Sequence, residues 1–372
     1  MSSLPKRLGF AVKRPWLFVR GVLVSRDRPN LTRLEAIDDP ERFVWAVLPH
    51  AARTFAPSIV ALPYRRAIVA AVGYLYARML DTYEDLESDL ADKLSGLEDF
   101  GRRFASMPPS EARALATPAA GDDRDRVHLL LVDRCTLVDE VFLSFDANDQ
   151  KRIVDMIGSM SEGMRASTQV FVDQGGVLET AAQIEDYCHT VIGHPISFTM
   201  RLVVGEGPAV QYRHDAMELS ILIQLANVTR DIEKDLRRGV AYHPALRAFL
   251  GAHSESPEAP AAVAAARASL VVTALRHVPV YRRLVDDLGL PQFSLARGSA
   301  ALMALFTDRH YRRAALRAGL EPWGGPRFTA AIWMVALPAI VSRGWTARVL
   351  RRIENDSAAA IEAVSTDTQF LS

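Results

Sequence analysis

Cysteine is nearly absent: Cys135 and Cys188 are the two in 372 residues. They form no CxxC pair, so neither a disulfide framework nor a zinc knuckle is implied, and a reducing cytoplasm fits. Net charge is missing too. Lys+Arg and Asp+Glu are both 44, which argues against a nucleic-acid binder, whose footprint is a basic excess. The N-terminus lacks the clean apolar core of a secretory signal, because Lys6, Arg7, Lys13, Arg14 and Arg20 interleave with Phe10, Trp16, Leu17 and Phe18. Such a basic, aromatic arm suits an anionic membrane surface as well as it suits packing on a domain. The apolar run between Arg327 and Arg343 is shorter than the ~20 residues that span a bilayer, and Pro338 interrupts it. It reads as a core or interfacial helix. With no spanning helix expected, the chain is placed in the cytoplasm, soluble or attached peripherally to a membrane.

Alternating strand patterns, fixed-period repeats and low-complexity tracts are also lacking, and no Gly-x-Gly-x-x-Gly fingerprint occurs. What is present is helical. Ala, Leu, Arg and Glu abound, and 49% of residues are hydrophobic, enough for a sizeable core. Asp39-Pro40-Glu41 predicts a capped helix start, and Leu62-Pro63 opens a helix through at least Leu80. Breaks are expected at 107–126, 173–176, 205–208, 251–260 and 322–326. The simplest organisation is a basic, aromatic arm over residues 1–35 and one large all-α domain over 36–372.

Two segments carry chemistry. In residues 67–85 a nearly all-apolar helix bears Tyr74, Arg78, Asp81 and Asp85 at offsets 0, 4, 7 and 11, one face of a 3.6-residue helix. In residues 221–236 another bears Gln224, Asn227, Asp231 and Asp235 at 0, 3, 7 and 11. Unpaired carboxylates on a buried helix are costly. If the two stripes face each other, their carboxylates converge on one cavity. Oxygen ligands without Cys or His suit magnesium, which shares a few carboxylates with substrate phosphates. Arg78 and Arg230 then supply charge-assisted contacts to a diphosphate. Taken singly, DxxED and NxxxD are weak signals, since acidic faces are common; Glu87, Asp89 and Asp92 are expected on a solvated face of that kind.

Residues 52–85 (ARTFAPSIVALPYRRAIVAAVGYLYARMLDTYED) resemble the first signature block of the squalene and phytoene synthase family. YCHTVIG at 187–193 resembles its tyrosine block, NVTRDIEKD at 227–235 its second aspartate motif, and ALRHVP at 274–279 is similar to squalene synthase in particular. The resemblance covers roughly residues 40–310. It implies one class I isoprenoid synthase domain of helices around a central cavity, and a magnesium-dependent prenyltransferase. Two farnesyl diphosphates would join head to head into presqualene diphosphate, then squalene or a close relative with NADPH as reductant. By position, Asp81, Glu84, Asp85, Asn227, Asp231 and Asp235 would hold magnesium. Arg53, Arg78, Arg230 and Gln224 would contact substrate. Phe55 and Tyr74 would face carbocations. Tyr187 would be the acid/base, with Asp81, Asp85 and Asp231 completing the catalytic set. Phe55, Tyr187 and Gln224 have structural readings as core residues or internal hydrogen-bond partners.

The sequence departs from the family pattern in places. Ala52-Arg53-Thr54-Phe55 lacks one hydroxyl, Lys234 replaces an acid with Glu233 displaced by one position, and Val240 stands where an arginine is usual. Residues 290–306 contain Arg297 and no cysteine, a weaker match to the region bordering reduction. The alternatives are a phytoene or dehydrosqualene synthase, a class I cyclase acting on one prenyl diphosphate, and a non-catalytic isoprenoid-binding relative.

Overall fold

The computed structural model describes residues 4–23, 29–52, 55–320 and 329–369. Among them the extended elements are all helical, with two isolated bridges, Glu87 to Pro118 and Val177 to Ala241. The all-α expectation is met. The chain forms two compact units, Met1–Ala166 with Phe198–Pro208, and Ser167–Ser197 with Ala209–Ser372.

The first unit holds α1 (Leu4–Leu23), α2 (Leu31–Glu35), α3 (Pro40–Ala52), α4 (Phe55–Ala61), α5 (Tyr64–Leu86), α6 (Leu90–Arg102), α7 (Asp123–Asp133), α8 (Cys135–Leu143) and most of α9 (Ala147–Asp173). The second holds α10 (Ala181–Cys188), a π-helical turn at His189–Gly193, α13 (Arg213–Arg237), α14 (Ala259–Leu275), α15 (Val278–Asp287), α16 (Leu295–Arg317), α17 (Thr329–Ala336) and α18 (Arg343–Gln369). Between the π turn and α13 run α11 (His194–Val204) and the short α12 (Glu206–Ala209). The expected starts are found: Asp39 accepts from the Arg42 amide at 2.7 Å ahead of α3, and Pro63 precedes α5. The expected break at 322–326 lies outside the described residues.

The rotation of α5 is fixed from behind. Tyr76 and Tyr83, seven residues apart and opposite the Tyr74 stripe, are both fully buried. Tyr76 donates to Asp139 at 2.6 Å, and Asp139 also accepts from both guanidinium ends of Arg103, at 3.0 and 2.6 Å. Tyr83 donates to the Arg113 carbonyl and packs on Gly96, where an added Cβ would come within 2.7 Å of its ring. A buried charge bonded on all sides is costly to disturb, so this network holds the helix in one orientation.

One expectation just past α5 is corrected. Glu87 is 3% exposed rather than solvated. It accepts from the backbone amides of Ala116 at 2.7 Å and Thr117 at 3.0 Å, which seals the loop after α6 onto the end of α5. Burial pushes its carboxyl up, but these hydrogen bonds prevail and hold it below the usual range. Asp89 caps α6 and is exposed as expected, while Asp92 is half-buried where it pairs with Arg113.

In the second unit α13 is the central element. Tyr311 of α16 donates to the Leu222 carbonyl. Arg267 of α14, 2% exposed, donates to the Thr229 carbonyl at 2.9 Å and to Glu233 at 2.5 Å. By length and composition, the stretch Ala259–Asp287 is apolar enough to cross a membrane, contrary to the sequence reading. Arg267 in its middle is tied to α13, which is the behaviour of a core helix. The C-terminal apolar run proves mixed: Ile332, Ala336 and Ala339 are buried, while Met334 and Leu337 are 67% and 57% exposed.

Candidate active site

On α5, between Ala67 and Leu86, the positions not buried are Tyr74, Arg78, Asp81, Glu84 and Asp85. The stripe read from the sequence is therefore the uncovered face, and its back is sealed by core. Arg78 is the hub. It donates to the Tyr74 hydroxyl at 3.0 Å and lies 3.0 Å from Asp81, with its guanidinium carbon 5.8 Å from the Tyr74 ring centre. The Phe55 ring sits 5.4 Å from that of Tyr74. Phe55, Tyr74, Arg78 and Asp81 are thus brought together, with Glu84 and the exposed Asp85 one turn further along the same face. Arg53 lies outside the described residues.

Asp81 is the strained member. Its side chain is 18% exposed and its Oδ1 is buried with no hydrogen-bond partner. Burial pushes its pKa up from 3.8 to about 6, against the pull of Arg78 and with the push of Asp85. Burial depresses Arg78, but Tyr74, Asp81 and Asp85 outweigh it and hold the guanidinium firmly charged. An orphaned anionic oxygen beside a fixed cation is what an incoming metal–phosphate group can satisfy.

On α13 the pattern recurs in outline. Between Leu219 and Leu236 the uncovered residues are Asn227, Arg230, Asp231, Glu233, Lys234 and Asp235. Arg230 clasps its neighbour Asp231 with two bonds, at 2.9 and 2.5 Å. Gln224 is buried at 6% and accepts from the Asn227 amide at 3.1 Å, so it braces that side chain from below. Glu233, the displaced acid, is engaged by Arg267 and leaves the face to Asp231 and Asp235. Sequence reasoning did not assign His310 of α16. Burial and the charge of Arg230 lower its pKa to about 3, which makes it a neutral neighbour of the Arg230–Asp231 pair.

Tyr187, at 5% exposure, belongs to an aromatic trio. Its ring lies 5.2 Å from Tyr242 and 6.0 Å from Phe171, and Tyr242 donates to its hydroxyl at 3.2 Å. Tyr242 is positioned by a backbone splice: Ala241 donates to Gly176 at 2.8 Å and Leu178 donates to Ala241 at 3.0 Å. Gly176 has φ +92°, and a Cβ there would come within 2.2 Å of the Gly239 carbonyl, so glycine is required. Sequence reasoning passed over Tyr242 and Phe171; the one available signal was the aromatic residue before Pro244. Tyr187, in α10, stands two residues ahead of the π-helical turn at His189–Gly193, a geometry that recurs at functional sites.

Among the described residues, no three His, Cys, Asp or Glu side chains gather into a ready-made metal site. Magnesium does not need one, since one or two carboxylates plus substrate phosphates commonly hold it. The all-oxygen donor set and the free Oδ1 of Asp81 fit that mode. Arg297, in the segment that departs from the family pattern, is a clamp: it donates to the carbonyls of Ala339 at 2.7 Å, Pro291 at 2.6 Å and Ile340 at 3.0 Å.

The chain matches the squalene/phytoene synthase family over residues 48–323. The lycopaoctaene synthase of Botryococcus braunii is 29% identical over 215 residues, 56% of this chain and 44% of that protein, so the match spans less than half of the relative. Two ligand complexes of TcSQS, a squalene synthase, align with TM-scores of 0.63 and 0.64 at 19% identity, covering 88% of this chain and 99% of theirs. At that identity the likeness is one of fold, the all-α class I isoprenoid synthase fold. The family is generally divalent-metal dependent and binds prenyl diphosphates. This chain, with an acidic face on α5 and another on α13, belongs to the squalene/phytoene synthase family of head-to-head prenyltransferases.

Proposed function

We propose that the chain condenses two farnesyl diphosphates to presqualene diphosphate. The observation that supports this most is the composition of the uncovered face of α5: Tyr74, Arg78, Asp81, Glu84 and Asp85 on a helix otherwise closed by core. Asn227, Arg230, Asp231 and Asp235 repeat that chemistry on α13. Magnesium, when bound, supplies a Lewis acid for the departing diphosphate, with Asp81, Glu84 and Asp85, and Asn227, Asp231 and Asp235, as its holders. Arg78 and Arg230 bind phosphate oxygens. Phe55 and Tyr74 offer ring faces to the allylic cation left when the C–O bond breaks. The cation is captured by the double bond of the second substrate. Cyclopropane closure then releases a proton to the Tyr187 oxygen, which Tyr242 holds, while the phenol's own proton passes to the departed diphosphate.

Reduction to squalene by NADPH rests on the resemblance at residues 274–279. It gains no support from residues 290–306, where Arg297 serves the backbone. A second reading follows from the relative in Botryococcus braunii, which is named for a different product: the substrate is a longer prenyl diphosphate or the product a relative of squalene. Incubating purified protein with magnesium and either farnesyl or geranylgeranyl diphosphate, with and without NADPH, separates these. Presqualene diphosphate or its alcohol from farnesyl diphosphate supports the proposal. Turnover confined to geranylgeranyl diphosphate favours the second reading, and a single cyclised sesquiterpene overturns head-to-head joining.

A further inference from the structure

We propose that the outer face of α1 is a docking surface for an anionic lipid bilayer, with the helix lying in the plane of the interface. Leu8, Val12 and Trp16 are spaced i, i+4, i+8 and fall within about 80° of arc on a helix turning about 100° per residue. They are 60%, 80% and 65% exposed. The other side of the helix is anchored. Phe10, 5% exposed, lies 5.1 Å from the Trp45 ring and 5.2 Å from the Tyr64 ring, and Arg14 donates to the Leu62 carbonyl at 3.0 Å. One face is thus bolted to the first unit, and three large apolar side chains are presented outward from a fixed platform.

Charge identifies the occupant. No Asp or Glu precedes Asp27, whereas Lys6, Arg7, Lys13, Arg14 and Arg20 all fall within α1. The helical register sets Lys13, which is exposed, beside the apolar stripe. An apolar stripe beside Lys13, on a segment whose charged residues are all basic, is complementary to acyl chains beneath anionic headgroups. A second copy would bring the same positive charge against it. Trp16 is of the residue type that settles at headgroup depth. Pro15 cannot donate to the Ala11 carbonyl, and Ala11 is exposed. That carbonyl stays hydrated at a wet interface and would be orphaned in the hydrocarbon core, so the helix lies on the membrane rather than across it.

The test is sedimentation of the full chain with sucrose-loaded vesicles of phosphatidylcholine, with and without phosphatidylglycerol, at low and high salt. Two variants are compared, Val12→Asp/Trp16→Glu and Lys13→Glu, with circular dichroism melts to check that both fold as wild type does. Wild type should partition at least about 10-fold more strongly onto phosphatidylglycerol vesicles, and high salt should remove the excess. The double variant should bind about 30-fold more weakly, and Lys13→Glu should lose several-fold on anionic vesicles alone. Failure of wild type to pellet, or equal pelleting by the double variant, overturns the proposal. So does a wild-type dimer in analytical ultracentrifugation that Val12→Asp/Trp16→Glu splits, since the face would then belong to a second copy.

Discussion

Replacing Asp81 by asparagine should make the protein more stable and inactive at once. The Asp81 side chain is 18% exposed, its Oδ1 has no partner, and burial lifts its pKa from 3.8 to about 6 despite Arg78. A raised carboxylate pKa means that the native chain holds the proton more tightly than the unfolded chain does. Stability therefore falls as pH rises from about 4 to about 6, and the full deficit persists above that. At about 1.4 kcal/mol per pH unit, the interval corresponds to roughly 3 kcal/mol. Asp81→Asn keeps the shape and removes the charge. Without magnesium at neutral pH it should exceed wild type by up to ~3 kcal/mol, or several degrees in Tm, and the gain should vanish below pH about 4. Urea unfolding across pH measures this. The same titration with magnesium and farnesyl diphosphate should stabilise wild type and leave the variant nearly unmoved. A variant no more stable than wild type at neutral pH, or one stabilised equally by magnesium and diphosphate, would show that the buried charge of Asp81 neither costs stability nor holds the metal.

Other substitutions separate support from chemistry. Arg267→Met should destabilise by roughly 3 kcal/mol in urea unfolding, because the Thr229 carbonyl and Glu233 lose their buried partner. Glu233→Gln should retain turnover while Asp231→Asn loses it, since only Asp231 stands with Arg230 on the open face. Tyr187→Phe should lower turnover about 100-fold, the usual worth of a positioned acid/base. Tyr242→Phe should lower it about 10-fold and displace the pH profile, which distinguishes holding the Tyr187 hydroxyl from filling space.

The two stripes were legible because helical periodicity alone puts polar residues on one line, and polar residues on an apolar helix have few explanations. The structure adds that α5 has no other uncovered position from Ala67 to Leu86. Glu87 was misread because its partners, the amides of Ala116 and Thr117, are about thirty residues away, and no local pattern announces them. Tyr242 was passed over for a similar reason: its place over Tyr187 depends on the Gly176–Ala241 splice, a pairing between distant turns. Gln224 shared the α13 stripe by spacing but lies beneath Asn227, since a helical wheel gives direction and not depth. The stretch Ala259–Asp287 is apolar in composition, yet Arg267 within it is satisfied only through tertiary contacts that the sequence does not display.

On the proposed function, the carboxylates on α5 and on α13 both serve the breaking of the C–O bond to diphosphate. Magnesium-dependent release of diphosphate from farnesyl diphosphate, followed in a single turnover for wild type, Asp81→Ala and Asp235→Ala, tests it most directly. Wild type should release diphosphate and each variant should lose about 1,000-fold or more, with far-ultraviolet circular dichroism unchanged. Release that persists at the wild-type rate in either variant would contradict it.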